Sequence, residues 1–385
     1  MARLARVEVF ATDEVAAVHV MNRTVRRCFL MGYDPVSGRN YDHRKVWIDQ
    51  QLVHQARYFG IDLLCQAIMS NHLHLVLRSR PDVVQEWSDT EVARRWLMLC
   101  PRRRDENRRP LEPTEFEINR IVNNKEKLES YRSRLSDISW WMRLLCQNIA
   151  QRANREEGEV GKFWQARYRA VRLLDEMAIL SCAAYVDLNP IRAALAETLE
   201  TSDFTSAQKR SLGLASESQQ ESQPECALSG GLSGTPSAAV RNEHIAAVDL
   251  RSAEHLAPVE LNERSGQPGP DANREGVRCS NKGFLPMSTS QYLLLLEWTA
   301  SQQRVAKTGR KPGRKPGRKP RQIRRLFNRL GISASVWNEL VRNFGRLFSI
   351  VAGKPAVIDS HRSRSGVHRY RALPAARDLL AKARV

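Results

Sequence analysis

Two apolar runs, residues 61–69 and 72–77, are separated only by Ser70 and Asn71. Runs joined by two turn-forming residues can pair as an antiparallel hairpin, but they leave no room for the crossover that parallel neighbours require. The run VAAVHVMNR at 15–23 is rich in β-branched residues and reads as an earlier strand. Between them, residues 46–59 read as a helix stopped at Gly60, with Trp47, Leu52 and Ala56 among its inward positions. This β-α-β-β order predicts a helix packed on an antiparallel sheet, an α+β fold.

Further along, Leu135, Ile138, Met142, Leu145 and Ile149 recur at helical spacing and mark an amphipathic helix. Residues 168–174 read as another strand. Asp175 then caps a helix through Met177, Leu180, Ala184 and Leu188, stopped by Pro190. A first domain over 1–205 follows, with a charged insertion at about 85–134 whose weakly periodic part, 101–134, reads as an exposed excursion. From 205 to 283 there is no aromatic residue, and Ser, Gln, Gly, Pro and Glu dominate, so 206–283 reads as a disordered linker. Order is expected to resume over 284–385 as a small, mostly helical, basic domain. There Ser288, Thr289 and Ser290 can cap a helix carrying Tyr292, Leu293, Leu296 and Trp298, and helices are also expected at 321–330 and 335–348.

Charge narrows the partner. The 61 Lys and Arg against 42 Asp and Glu give a formal +19, which favours a polyanion. Fourteen Lys and Arg and one acid, Glu339, fall between residues 304 and 346, so much of the surplus is local. Residues 309–320 are a threefold GRKP repeat, and Pro and Gly in every unit forbid a helix. The repeat reads either as an AT-hook-like arm placing Arg310, Arg314 and Arg318 in a duplex minor groove, or as a solvated repeat that binds any polyanion. No stretch of eighteen apolar residues suits a membrane span, and the first twenty residues lack a secretory apolar core, so a cytoplasmic location is expected. Seven scattered cysteines contain no C-x-x-C pair for zinc or thiol exchange.

The chemistry-bearing residues cluster in two places. His72 and His74 are two apart in the second hairpin strand, so both imidazoles project to one face and can meet one divalent ion, although H-x-H alone is a weak signal. The next histidine in sequence is His244, so any further ligand must be an oxygen or amide group. That set suits Mg²⁺ or Mn²⁺ polarising a phosphate oxygen, with Asn189 as the candidate amide. Tyr185 lies four residues before Asn189 on the helix that Asp175 starts. It can serve as a nucleophile toward a phosphodiester, or it can be a packing aromatic. No G-x-x-x-x-G-K-[ST] loop for ATP is present.

These residues fall within three blocks, AIMSNHLHLVL (67–77), FWQARYRAV (163–171) and AAYVDLNPIRAAL (183–195). In that order the blocks resemble the single-tyrosine HUH transposases, particularly the REP-associated group, over roughly residues 15–205. The resemblance implies a ferredoxin-like HUH fold in which His72 and His74 bind the metal, Tyr185 attacks DNA and Asn189 sits at the metal site. It further implies a 5′-phosphotyrosine, a free 3′-OH and single-stranded DNA with hairpins as the partner, with Trp164, Arg167 and Tyr168 as DNA contacts. Ser70 stands where the family usually has Pro. His19, Asn22 and Arg23 echo the family's first strand and are read as structural. A transposase of DNA recombination is the expectation, with room for a homodimer. A domesticated DNA-binding protein and a replication-initiator-like nickase are its rivals.

Overall fold

The computed structural model describes residues 13–221, 252–261, 270–308 and 320–382. Strand β1 (Ala17–Arg23) leads through helix α1 (His43–Tyr58) into the hairpin of β2 (Ile61–Ile68) and β3 (His72–Ser79). The Met69 amide donates to the His72 carbonyl at 2.8 Å, so Ser70 and Asn71 form the expected two-residue connection. Gly32 packs against that turn so closely that a Cβ there would meet the Ser70 side chain at 2.5 Å.

The sheet has five strands in the order β2-β3-β1-β4-β5, where β4 is Arg169–Leu173 and β5 is Val351–Ala352. The first four pair antiparallel, and β5 joins β4 in parallel. Register decides which residues meet. Met21 lies opposite His74 and Arg23 opposite His72, while His19 is opposite Val76 on one side and Val171 on the other. Because alternate residues share a face, Val18, Val20, Leu73, Leu75 and Leu77 pack into one core and the histidines lie on the reverse face.

The first core is closed by α1 and by α6 (Ile138–Glu157), through Ile48, Leu52, Ala56, Trp141, Met142 and Leu145. Trp47 is only half-buried. The charged insertion is more ordered than an exposed excursion. After α2 (Pro81–Gln85) it forms α3 (Asp89–Leu99), α4 (Glu115–Val122) and α5 (Lys125–Leu135). Ser88, Thr114 and Asn124 each cap one of these helices with a side-chain oxygen, Thr114 in a capping box with Glu117. Val92, Trp96, Ile121 and Leu128 join the α1–α6 core. Frequent arginines conceal this periodicity, and some of them lie on aromatic faces, as Arg134 does over Trp140 at 4.5 Å.

On the reverse face lie α7 (Glu176–Asp187) and the short α8 (Asn189–Arg192). The Asp175 carboxylate accepts from the Ala178 amide at 2.8 Å, as an N-cap should, and the helix ends one residue before the expected Leu188.

The stretch expected to be a linker is packed where it is described. Helix α9 (Ser206–Glu221) docks beside β2: Lys209 pairs with Asp49 at 2.9 Å, Arg210 donates to the Leu64 carbonyl at 2.7 Å, and Asp187 accepts from Ser206. The Ala257 amide donates to the Leu63 carbonyl at 2.9 Å, and the Ser280 hydroxyl donates to Asp62 at 2.8 Å. Polar partners buried in the first region stand in for the missing aromatics, a form of docking that composition does not reveal. The rest of that stretch lies outside the described residues, as does the repeat arm with Arg310, Arg314 and Arg318.

Five more helices follow: α10 (Thr289–Thr308), α11 (Arg321–Leu330), α12 (Ala334–Leu347), α13 (Pro355–Ser365) and α14 (Pro374–Ala381). Their apolar residues do not form a wholly separate core. Tyr292, Trp337 and Phe344 join one cluster with Leu180 and Ala184 of α7, and β5 extends the sheet itself. The whole is a mixed α+β protein. Among the described residues no helix is long and apolar enough to cross a membrane.

Candidate functional site

Three elements converge over the reverse face of the sheet. Strands β1 and β3 present His19, His72 and His74, α7 presents Tyr185, and α12 lies across them. The His19 and His74 rings stack with centroids 5.1 Å apart, and His19 Nε2 lies 2.9 Å from His74 Nδ1. The Tyr185 ring stands edge-on to His74 at 5.5 Å and to His19 at 5.9 Å. The His72 centroid is 5.0 Å from that of His74, with its Nδ1 2.7 Å from Asn71 Oδ1.

A cavity of about 350 Å³ opens over this group. His19, His74, Tyr185 and Phe344 line it, together with Arg23, Arg169, Arg192, Arg342 and Arg346, and among the described residues no carboxylate does. The Arg192 guanidinium lies 4.0 Å over the Tyr185 ring and donates to the Tyr185 and Arg342 carbonyls, both at 3.1 Å. It thereby ties α8 to α7 and α12. Phe344 also packs against the tyrosine, with ring centroids 5.6 Å apart and the planes tilted by 34°. Gly345 follows it, and a Cβ there would approach Tyr185 Oη to 3.2 Å.

Burial, reinforced by Arg169 and Arg192, lowers the His19 pKa to about 3. Burial and then Arg23 and Arg192 lower His72 to about 4. His74 is held well below its ordinary value, first by burial and then by its two histidine neighbours. All three imidazoles are therefore neutral near pH 7, the form that offers a lone pair to a cation. The arginines supply the positive charge. A neutral nitrogen pair beside a tyrosine, under five guanidinium groups, suits a bound phosphodiester and disfavours an organic cation.

The sequence-predicted residues divide. Tyr185 and His74 meet in the cavity, and His72 adjoins it. Asn189 is buried at the head of α8 and does not line the cavity. Among the described residues no group of three or more His, Cys, Asp or Glu side chains converges to hold a metal ion. Tyr168 and Trp164 belong to the opposite core rather than to an open stacking surface. Tyr168 Oη donates to Ser139 Oγ at 3.2 Å, and Trp164 Nε1 donates to the Cys146 carbonyl at 2.9 Å. Arg167 is exposed. His19 and Arg23, read as structural, instead line the cavity, and their period-two spacing on β1 was the available signal. Arg169, Arg192, Arg342 and Arg346 gave none as a set, because they reach the cavity from three elements far apart in sequence.

Fold and site thus define an α+β protein with an arginine-lined cavity over a tyrosine and a histidine pair. No protein-family model matches the chain, and no curated protein does. Among solved structures, the REP-associated tyrosine transposase bound to a REP hairpin matches at a TM-score of 0.30 and 10% identity, over 61% of this chain and 95% of that one. Similarity at that level carries no weight for activity.

Proposed function

We propose that this chain is a single-tyrosine DNA strand transferase that nicks and rejoins single-stranded DNA at hairpin-flanked sites. The observation that carries the reading is the placement of Tyr185 and His74 in one cavity lined by five arginines and, among the described residues, no acid. The strand order β2-β3-β1-β4, with helices on both faces, supports reading the core as ferredoxin-like in the HUH manner.

In this reading the guanidinium groups bind the phosphates flanking the scissile bond and stabilise the charge that develops on the reacting one. Tyr185 Oη attacks phosphorus, the new O–P bond replaces the bond to the 3′ oxygen, and a 5′-phosphotyrosine and a free 3′-OH result. The tyrosine proton passes to solvent, and the departing 3′ oxygen takes one up. Arg192 and Phe344 both pack against the ring and hold it in place, and the space at Gly345 leaves room beside the hydroxyl. The bond energy stays in the phosphotyrosine, so rejoining by the 3′-OH needs no ATP.

His72 and His74 fit a divalent ion in part: two neutral imidazoles from one face of β3 offer a donor pair, and the rest of its shell would be oxygen from water and DNA. Mg²⁺ or Mn²⁺ bound there would supply Lewis acidity toward a phosphate oxygen. Asn189 is the weaker member of the proposed ligand set because it does not line the cavity.

The test is a denaturation-resistant adduct between the full chain and a single-stranded hairpin oligonucleotide in Mg²⁺ or Mn²⁺. Tyr185→Phe should abolish it while hairpin binding persists, and Tyr168→Phe should keep it. An adduct with Tyr185→Phe refutes the assignment of the nucleophile. Hairpin binding by the wild-type chain with no adduct at all would favour a domesticated DNA-binding protein.

A further inference from the structure

A larger cavity, about 740 Å³, lies away from the tyrosine, on the outer faces of α1 and α6 where the segment 101–110 folds over them. Those helices cover the face of the sheet opposite to α7, so the two cavities lie on opposite sides of the sheet. This volume falls within the usual range of ligand sites.

Its lining is unlike a core. Arg104, Arg108, Arg109, Arg152 and Arg155 contribute five guanidinium groups, and among the described residues no carboxylate lines it. Among the described residues none of the five makes an ion pair with a carboxylate. Two acids adjacent in sequence to these arginines have partners of their own: Asp105 accepts from the Arg109 amide at 2.7 Å, and Glu156 accepts from Arg44 Nε at 2.8 Å and pairs with His43 at 2.6 Å. The Arg152 guanidinium sits 3.9 Å over the Trp47 ring. Burial is the main influence pulling Arg152 below its ordinary pKa. Glu156 offsets this in part, and the charge of Arg108 adds to it, so the attraction of an anion at this point would offset both influences. Gln50, Gln51, Asn107, Asn148 and Gln151 add five amides, each able to donate and to accept.

The covering segment is itself built. Arg104 and Pro110 form an isolated bridge, the Asp105 amide donates to the Arg109 carbonyl at 2.9 Å, and Arg104 Nη1 donates to the Arg108 carbonyl at 2.8 Å. The arginines thus come from a fixed turn on one side and from α6 on the other.

We propose that this cavity is a second nucleic-acid site, which holds a nucleotide unit of a single strand by its phosphates, a base face and base edges. Guanidinium groups pair with phosphate, Trp47 with its stacked Arg152 offers a flat surface to a base, and the amides meet base edges without demanding one sequence. A free nucleotide shares this chemistry. The open cavity and the spread of five cations across it favour a strand. The proposal stands whether or not Tyr185 cuts DNA.

The experiment uses the full chain without divalent ions and reads fluorescence anisotropy of a labelled oligothymidine of about 15 nucleotides, near the upper site size of single-strand binding folds. Arg104→Ala with Arg152→Ala should weaken binding about ten-fold and reduce the slope of log K on log salt by up to about 1.4, at ~0.7 for each phosphate of a single strand that is no longer neutralised. Arg324→Ala with Arg325→Ala, exposed on α11, removes the same charge elsewhere and should leave affinity within about two-fold, with both variants checked by their thermal melts. Trp47→Leu should weaken oligothymidine binding about ten-fold without changing the salt slope, because stacking carries no counterion release. Unchanged affinity in the Arg104 and Arg152 double variant, or an equal loss in the α11 variant, would overturn the site. Calorimetric titration with thymidine monophosphate and with inorganic phosphate separates the sources. Much weaker binding of both than of the strand supports the proposal, and a mononucleotide binding as tightly as the oligonucleotide would overturn the strand assignment.

Discussion

Lys209→Met removes one member of an ion pair that fixes α9 to the first region. The Lys209 ammonium lies 2.9 Å from Asp49 Oδ2, and the two side chains are 2% and 1% exposed. The other Asp49 oxygen accepts from Gln66 Nε2 at 2.7 Å, so without the lysine a buried carboxylate keeps one strong donor and no counter-charge. Breaking a buried pair by removing one partner costs about 3–5 kcal/mol, a fall of roughly two to four powers of ten in the folded-to-unfolded ratio. Methionine fills most of the lysine volume, so the loss reports charge more than a cavity. Urea unfolding followed by both tryptophan fluorescence and circular dichroism should show a lower midpoint with an unchanged slope. Adding Asp49→Asn to Lys209→Met should recover most of the loss, because neutral groups of similar shape can replace a buried pair at little cost. A single-variant loss under about 1 kcal/mol, the range of solvent-exposed pairs, would mean that the pair is hydrated and that α9 does not belong to the folded unit.

The buried His255 gives an acid-limb test. Burial, with Lys209 and Arg210 nearby, holds it neutral in the fold, whereas the unfolded chain takes up a proton below about pH 6.5, so stability falls as pH drops through that value by up to ~1.4 kcal/mol per unit. His255→Gln should flatten that limb relative to wild type in urea midpoints measured at several pH values, and an identical pH dependence would refute it. Gly345→Ala should cut adduct formation about ten-fold at unchanged hairpin affinity, because a Cβ 3.2 Å from Tyr185 Oη forces the hydroxyl or α12 to shift, and a factor of ten corresponds to only ~1.4 kcal/mol in the barrier. Wild-type adduct yield in that variant would show that α12 moves away before reaction. Deleting residues 309–320 removes six Lys and Arg and should lower the salt slope of duplex binding by up to about five units, whereas an unchanged slope would mean the arm does not touch DNA.

Local signals carried much of the fold. The hairpin around Ser70 and Asn71, the Asp175 cap and the strand at 169–173 are each specified by neighbours in sequence, and each appears within one or two residues of its expected place. Docking is different in kind. Nothing near Lys209 in sequence announces Asp49, and nothing near Ser280 announces Asp62, because a buried polar pair leaves no periodicity in either segment. A stretch without aromatics therefore looks unable to pack, although part of it does so through hydrogen bonds to residues more than one hundred positions away.

The same distinction explains the site. His72 and His74 share a face because two residues on one strand must, and Tyr185 lies on the helix that Asp175 caps, so these placements were legible from period and cap, whereas the choice of these residues as a site rested on the resemblance of the three sequence blocks. What makes the cavity suited to a phosphodiester is the set of arginines, which comes from β1, β4, α8 and the end of α12. Their convergence depends on α12 crossing α7, and that crossing is set by apolar residues of both helices, such as Leu180, Ala184, Leu340 and Phe344, in one shared core. The charge was visible in the sequence only as a surplus concentrated near the C-terminal third, and the repeat drew attention to the arm instead. In the fold two arginines of that surplus, Arg342 and Arg346, line the cavity that holds the tyrosine. Packing of apolar surface thus decides where the charge is placed, and for this reason a count of cations favours a polyanionic partner in general terms without locating a site for one.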